Sequence, residues 1–196
     1  MRSRGIGIGV TLLWAICFTA SCSASVSGGA DLGSRVPPAP TGYTQQVHGT
    51  SGDHEGALTM KEAAFQGTLT GSVTSLKKCD WVAGYARDWD KTSSDSTDPN
   101  SIGILINEFS TRKGSACFQP TLVSQMEQTS LPGEHPLVIP GLAGSVAVGM
   151  SGSLGNLIDI VFVVGSDVVL VGGQGPSVPL AVVEKLAVEQ KQMLDS

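Results

Sequence analysis

The chain has 196 residues, of which 41% are hydrophobic, 15% charged and 5% aromatic, and its formal net charge is −5. This length leaves room for one domain of roughly 150 residues beside a leader and a spacer. The composition is that of a globular protein and excludes a disordered one, and the mild acidity without a basic stripe argues against nucleic-acid binding.

The first residues have the features of a secretion signal. Two arginines form a positive start, and the apolar run at residues 6–18 is shorter than the roughly 20 residues that span a bilayer. The small residues before Cys22 resemble the lipobox of bacterial lipoproteins, although Thr19 stands where Leu is usual. We expect a signal peptide at residues 1–21 and a lipid on Cys22. The alternatives are cleavage to a soluble secreted protein and retention of the leader.

Residues 22–45 are rich in Ser, Gly and Pro and show neither helical nor strand periodicity. This composition predicts a flexible tether, with a single domain at residues 46–196. Loss of the leader leaves 10 basic and 17 acidic residues and shifts the net charge to −7. In an exported protein the two body cysteines, Cys79 and Cys117, predict one disulfide, with two unpaired buried thiols as the alternative.

The first elements of the domain are predicted from caps and alternation. Thr59 and Glu62 form a capping box at the start of a short helix, and residues 72–78 are predicted to be helical. Apolar residues then alternate from Trp81 to Trp89 as in a strand, and a second strand runs from Ile102 to Phe109. These two strands are expected to form a hairpin across a polar loop.

The second half is predicted to be a helix, three strands and a helix. Residues 113–128 are predicted to be the helix; alternatively the helix starts at Pro120, as a first-turn proline, and Cys117 lies in a turn before it. Three strands follow at residues 145–150, 157–164 and 168–172, the last two joined by a Gly-Ser hairpin turn. An amphipathic helix begins near Ser177. The fold class is therefore α+β, a two-layer sandwich with a mostly antiparallel sheet of about five strands covered by about three helices.

A family resemblance appears in several stretches. They read GY at residues 42–43, GALT at 56–59, VAGYARDW at 82–89 and IPGLAGS at 139–145. The chain resembles uncharacterised cell-envelope lipoproteins of actinobacteria in these residues and in layout, and is more weakly similar to α/β sandwiches of the Mog1 and PsbP type. The resemblance implies an extracytoplasmic location and a small α+β fold, and it supplies no catalytic residue.

Trp81, Tyr85, Arg87 and Trp89 are the cluster most suggestive of binding. On one strand face they would line a groove for an apolar ligand or polymer, with Arg87 gripping an anionic group; the alternative is that the rings form the core. Oxygen donors also gather in the following polar stretch, but without the spacing of a calcium loop, so a solvated loop is favoured.

The spacing of the remaining residues indicates no metal site, no cofactor and no catalytic constellation, so we do not expect an enzyme. The expected function is a membrane-tethered, extracytoplasmic lipoprotein that acts as a binding or accessory module of the cell envelope. Its partner would be an envelope protein or another envelope component. The alternatives are a carrier of a lipid or other apolar ligand and, second, an unrecognised hydrolase.

Overall fold

The computed structural model describes residues 27–45, 55–65, 73–91, 100–128, 133–152 and 155–196. Cys22 and the predicted signal peptide lie outside them. The helices of the described part are α1 (Ser27–Ser34), α2 (Met60–Ala63), α3 (Val73–Lys78), α4 (Arg112–Gln128) and α5 (Leu180–Asp195). None of these helices combines the length and the apolarity that crossing a bilayer requires.

The described strands are β1 (Tyr43–Gln45), β2 (Gly56–Leu58), β3 (Trp81–Lys91), β4 (Ser101–Phe109), β5 (His135–Leu137), β6 (Val146–Gly152), β7 (Gly155–Val164) and β8 (Asp167–Gly175). They form one sheet in the order β1-β3-β4-β8-β7-β6-β5, and β2 pairs with β3 on the same edge as β1. Every pairing is antiparallel, as predicted. The five predicted strands correspond to β3, β4, β6, β7 and β8.

The sheet is covered on both faces, so the prediction of two layers is wrong. One apolar cluster, with Trp89, Ile160 and Leu186, fills the space under α1 and α5. A second, with Phe118 and Leu122, lies on the other face under α2, α3 and α4. In the described part the sheet has eight strands and there are five helices, more than the five and three expected. Because alternate residues of a strand point to opposite faces, the central strands contribute to both clusters.

The described part of the predicted tether is folded. Leu32, Val36 and Tyr43 are buried in the first apolar cluster. The buried side chain of Gln190 on α5 donates a hydrogen bond to the backbone oxygen of Arg35 at 2.9 Å. Residues 31–45 are therefore part of the domain. Their apolar side chains pack on the sheet although they are too scattered in the sequence to form a periodic pattern.

The helix starts and ends are partly as predicted. The capping box is present, with Glu62 N–H bonded to the Thr59 hydroxyl. Pro120, however, lies inside α4, and Cys117 is helical and not in a preceding turn. Pro120 has no N–H to donate to the carbonyl one turn back, and packing of Phe118 and Leu122 on the sheet holds the helix together across that missing bond.

Candidate functional site

The predicted aromatic cluster is divided between the two faces of the sheet. The register of β3 with β4 shifts between Trp81 and Ala83, which is a β-bulge. Trp81 packs with the second cluster and donates from Nε1 to Oδ1 of buried Asn107 at 2.8 Å. Tyr85 and Trp89 belong to the first cluster, and Trp89 is only 1% exposed. The rings of Tyr85 and Trp89 therefore form core, the alternative that the sequence left open.

Arg87 and Tyr85 contact each other beside α1. The guanidinium carbon of Arg87 lies 5.1 Å from the centre of the Tyr85 ring, and its Nη2 donates to the Tyr85 hydroxyl. A Cβ added to Gly33 of α1 would lie 2.7 Å from that ring, so only glycine allows the helix to pack this closely. The Arg87–Tyr85 pair is therefore part of the surface on which α1 packs.

A row of four paired residues on the other face has a different character, and we call it the carboxylate row. It runs across four neighbouring strands as Asp88, Gly103, Gly172 and Asp159. The Asp88 carboxylate occupies the space of a Cβ at Gly103, and Oδ1 of Asp159 lies 3.1 Å from the Cβ position of Gly172. Facing Cβ positions of paired strands are about 5 Å apart, so the two carboxylates lie within about 10 Å of each other.

Asp159 is the perturbed member of this row. Burial, and to a smaller extent the charge of nearby Glu134, raises the pKa of Asp159 from 3.8 to about 6. The backbone N–H of Asp88 donates a hydrogen bond to Oε1 of Glu55 at 3.0 Å, which ties the segment before β2 to β3. Desolvated carboxylates recognise cationic groups strongly when the cation replaces the lost water. Glycine in a strand also lets a ligand approach the backbone closely.

A second perturbed carboxyl has a structural partner. Asp167, at the start of β8, is 3% exposed and accepts from Nη2 of Arg35 at 3.2 Å. Burial raises its pKa to about 6, against the opposing effect of the Arg35 charge and with a contribution from Glu108. This ion pair fastens the segment after α1 to the turn between β7 and β8.

The structure contains the predicted disulfide between Cys79 and Cys117, with the two Cα atoms 5.6 Å apart. It joins the end of α3 to α4 and so links two of the helices that cover the second cluster covalently. In the described part of the chain no three potential metal ligands (His, Cys, Asp or Glu) come together.

Two surface depressions are lined by described residues. A groove of about 430 Å³ runs along α5 beside Pro140, Glu184 and Val188. A cleft of about 60 Å³ lies where β5 and β6 meet the start of α5, beside His135 and Asn156. Both are open to solvent, and the cleft is smaller than a lipid chain requires.

Sequence reasoning missed the carboxylate row and the role of Arg35. The row forms only when Asp88 and Asp159 are paired with two glycines on other strands. That pairing is set by the register of the strands, which the sequence alone does not give. The available signal was the pair Asp159 and Gly172, a carboxylate and a glycine each interrupting an apolar strand of one hairpin.

Comparison with known proteins identifies a related fold. No protein-family model matches the chain, and no curated protein sequence matches it significantly. The chain is similar in structure to the extracellular domain of PknH from Mycobacterium tuberculosis, with a TM-score of 0.55 and 12% identity. The match covers 83% of this chain and 94% of that domain, so the two share a fold over most of their length.

Proposed function

We propose that the chain is an extracytoplasmic binding or accessory module of the cell envelope, held at the membrane by a lipid on Cys22. Three observations support this: an N-terminal sequence with the features of an export leader and a lipobox-like site, a disulfide in the folded domain, and a fold shared with the extracellular domain of a mycobacterial protein. We propose binding and not catalysis as its activity, with a protein or another envelope component as the partner.

The carboxylate row is the surface we propose for that binding, and Asp159 is the observation that carries it. A fold that keeps a carboxyl with a pKa of about 6 on its sheet sacrifices stability at neutral pH. Groups perturbed in this way concentrate at functional sites. An arginine guanidinium of the partner, placed over Gly103 and Gly172, would lie between Asp88 and Asp159 and restore part of the solvation that Asp159 lacks.

NMR titration of the Asp159 side-chain carboxyl tests this site. The probes are the Nα-acetylated methyl esters of arginine and citrulline, which have similar shapes; the arginine derivative carries one positive charge and the citrulline derivative carries none. The arginine derivative should lower the pKa of Asp159 from about 6 towards its ordinary range, and the citrulline derivative should not. Asp159→Asn should abolish the chemical-shift changes on β7 and β8. Asp195→Asn, on the exposed end of α5, is the matched control. Equal responses to both probes would refute a cation site.

The anchor is tested separately in the native host. Metabolic labelling with an alkyne fatty acid should mark the wild-type chain and leave Cys22→Ala unlabelled and released from the membrane. Unchanged labelling of the variant would remove Cys22 as the attachment site.

A further inference from the structure

The connection between Cys22 and the folded domain is short. Leu32 of α1 is 1% exposed and belongs to the core of the domain. Five peptide steps separate Cys22 from Ser27, where α1 begins, and they span at most about 18 Å. The five helical steps to Leu32 add about 7.5 Å. If Cys22 carries the lipid, as proposed above, the tether reaches about 25 Å.

This reach is smaller than the domain. A folded unit of about 165 residues has a radius of gyration of about 15 Å and a diameter of about 40 Å. The side on which α1 packs must therefore stay near the bilayer, and the opposite side cannot turn to meet it. α1 packs on β2 and β3, and β5, at the far edge of the sheet, lies five strand spacings, or about 24 Å, from β3.

Exposed apolar side chains lie at the same edge as α1. β2 leads directly into α2, and Phe65, just after α2, is 68% exposed. Val82, at the bulge of β3, is 52% exposed. α2 reaches this strand, because the Cβ position of Gly84 lies 3.5 Å from Ala63 and 3.0 Å from the Trp81 ring.

The charge of this region differs from that of the rest of the domain. Lys61 on α2 and Lys77 and Lys78 on α3 are all exposed. The acidic residues of α2 and of the turn after α3 are Glu62 and Asp80, and the Glu62 carboxylate accepts from the Thr59 N–H at 2.7 Å. The charged residues of α2, α3 and the turn after α3 sum to +1, whereas residues 22–196 as a whole sum to −7. Exposed apolar side chains among lysines suit an anionic bilayer surface, where each lysine contributes about 1 kcal/mol.

We propose that this basic corner, which comprises Lys61, Phe65, Lys77, Lys78 and Val82, docks on the anionic lipid surface to which Cys22 is attached. The proposal rests on the proposed lipid anchor. It adds that the domain is held in one orientation, with the β2 edge of the sheet on the bilayer and β5 outermost.

The test couples the mature chain, residues 22–196, to vesicles of phosphatidylcholine and phosphatidylglycerol through a maleimide lipid. Cys79 and Cys117 are paired, so Cys22 is the free thiol. A tryptophan reporter is placed at Phe65→Trp or, as the matched control at the far edge, at Val138→Trp, where the native side chain is 91% exposed. Brominated lipids should quench the added emission of Phe65→Trp and leave that of Val138→Trp unchanged.

Equal quenching at both sites, quenching at neither, or quenching only at Val138→Trp would overturn the proposal. Reversing the charge of Lys61, Lys77 and Lys78 to glutamate should remove the quenching of Phe65→Trp, and unchanged quenching would overturn the role of the lysines. Chemical coupling supplies the lipid whether or not the host acylates Cys22. Failure of the orientation is therefore distinguishable from failure of the anchor.

Discussion

Asp159→Asn should make the domain more stable at neutral pH. A carboxyl whose pKa is higher in the folded than in the unfolded chain binds its proton more tightly when folded, so the folded state gains stability as pH falls. For Asp159 the pKa rises from 3.8 to about 6. This shift of about two units corresponds to about 3 kcal/mol lost at about pH 7.5 in the wild type. Asparagine has the same size and no charge, so the variant should regain up to about 3 kcal/mol.

Urea unfolding followed by tryptophan fluorescence measures this difference. The variant and the wild type should differ most above pH 6, converge as pH falls, and have equal stability near about pH 4. Asp31→Asn, at an exposed position of α1, removes a charge of the same sign and gives the general effect of net charge. A variant less stable than the wild type at neutral pH, or a gap that does not narrow in acid, would refute the reasoning. If the carboxylate row is the binding site, the stabilised variant should also lose binding.

Three further changes probe how the domain is held together. Arg35→Met leaves Asp167 buried without its cation and should lower the free energy of unfolding by about 1–3 kcal/mol at neutral pH. In urea unfolding this loss should be smaller below pH 6, where Asp167 is protonated. Leu32→Ala should lower the free energy of unfolding by about 2–4 kcal/mol, whereas a residue in a flexible tether would have no effect. Replacing Cys79 and Cys117 by alanine opens the loop that the disulfide closes and should lower the free energy of unfolding by about 4 kcal/mol. Thermal unfolding should show a lower Tm, and an unchanged Tm would contradict a structural role for the disulfide.

The elements with their own periodicity could be predicted from the sequence. β7 and β8 combine β-branched residues with a Gly-Ser turn, and the structure pairs Val164 with Asp167 across that turn. The capping box at Thr59 is equally local, because the hydroxyl and the carboxylate reach backbone groups within one turn. Such signals need no knowledge of the rest of the fold.

The remaining elements depend on neighbours that are distant in sequence. β1, β2 and β5 have three residues each, too few for a periodic pattern, and each is defined by the strand it pairs with. The bulge after Trp81 reverses the face of that ring, and alternation alone could not locate it. One signal was overlooked: the unbroken apolar run from Ile160 to Val164 is typical of a strand that is covered on both faces.

The two proposed surfaces are compatible because the carboxylate row runs across the strands, away from the membrane-proximal edge. With β2 at the bilayer, Asp88 on β3 lies one strand spacing, about 5 Å, above that edge. Asp159 on β7 lies four spacings, about 19 Å, above it. A partner can therefore reach the sheet face from the side, and the anionic lipid attracted to the basic corner stays well away from Asp159. Release of the anchor should then change where the domain is held and leave the affinity of the carboxylate row for a cation in solution unaltered.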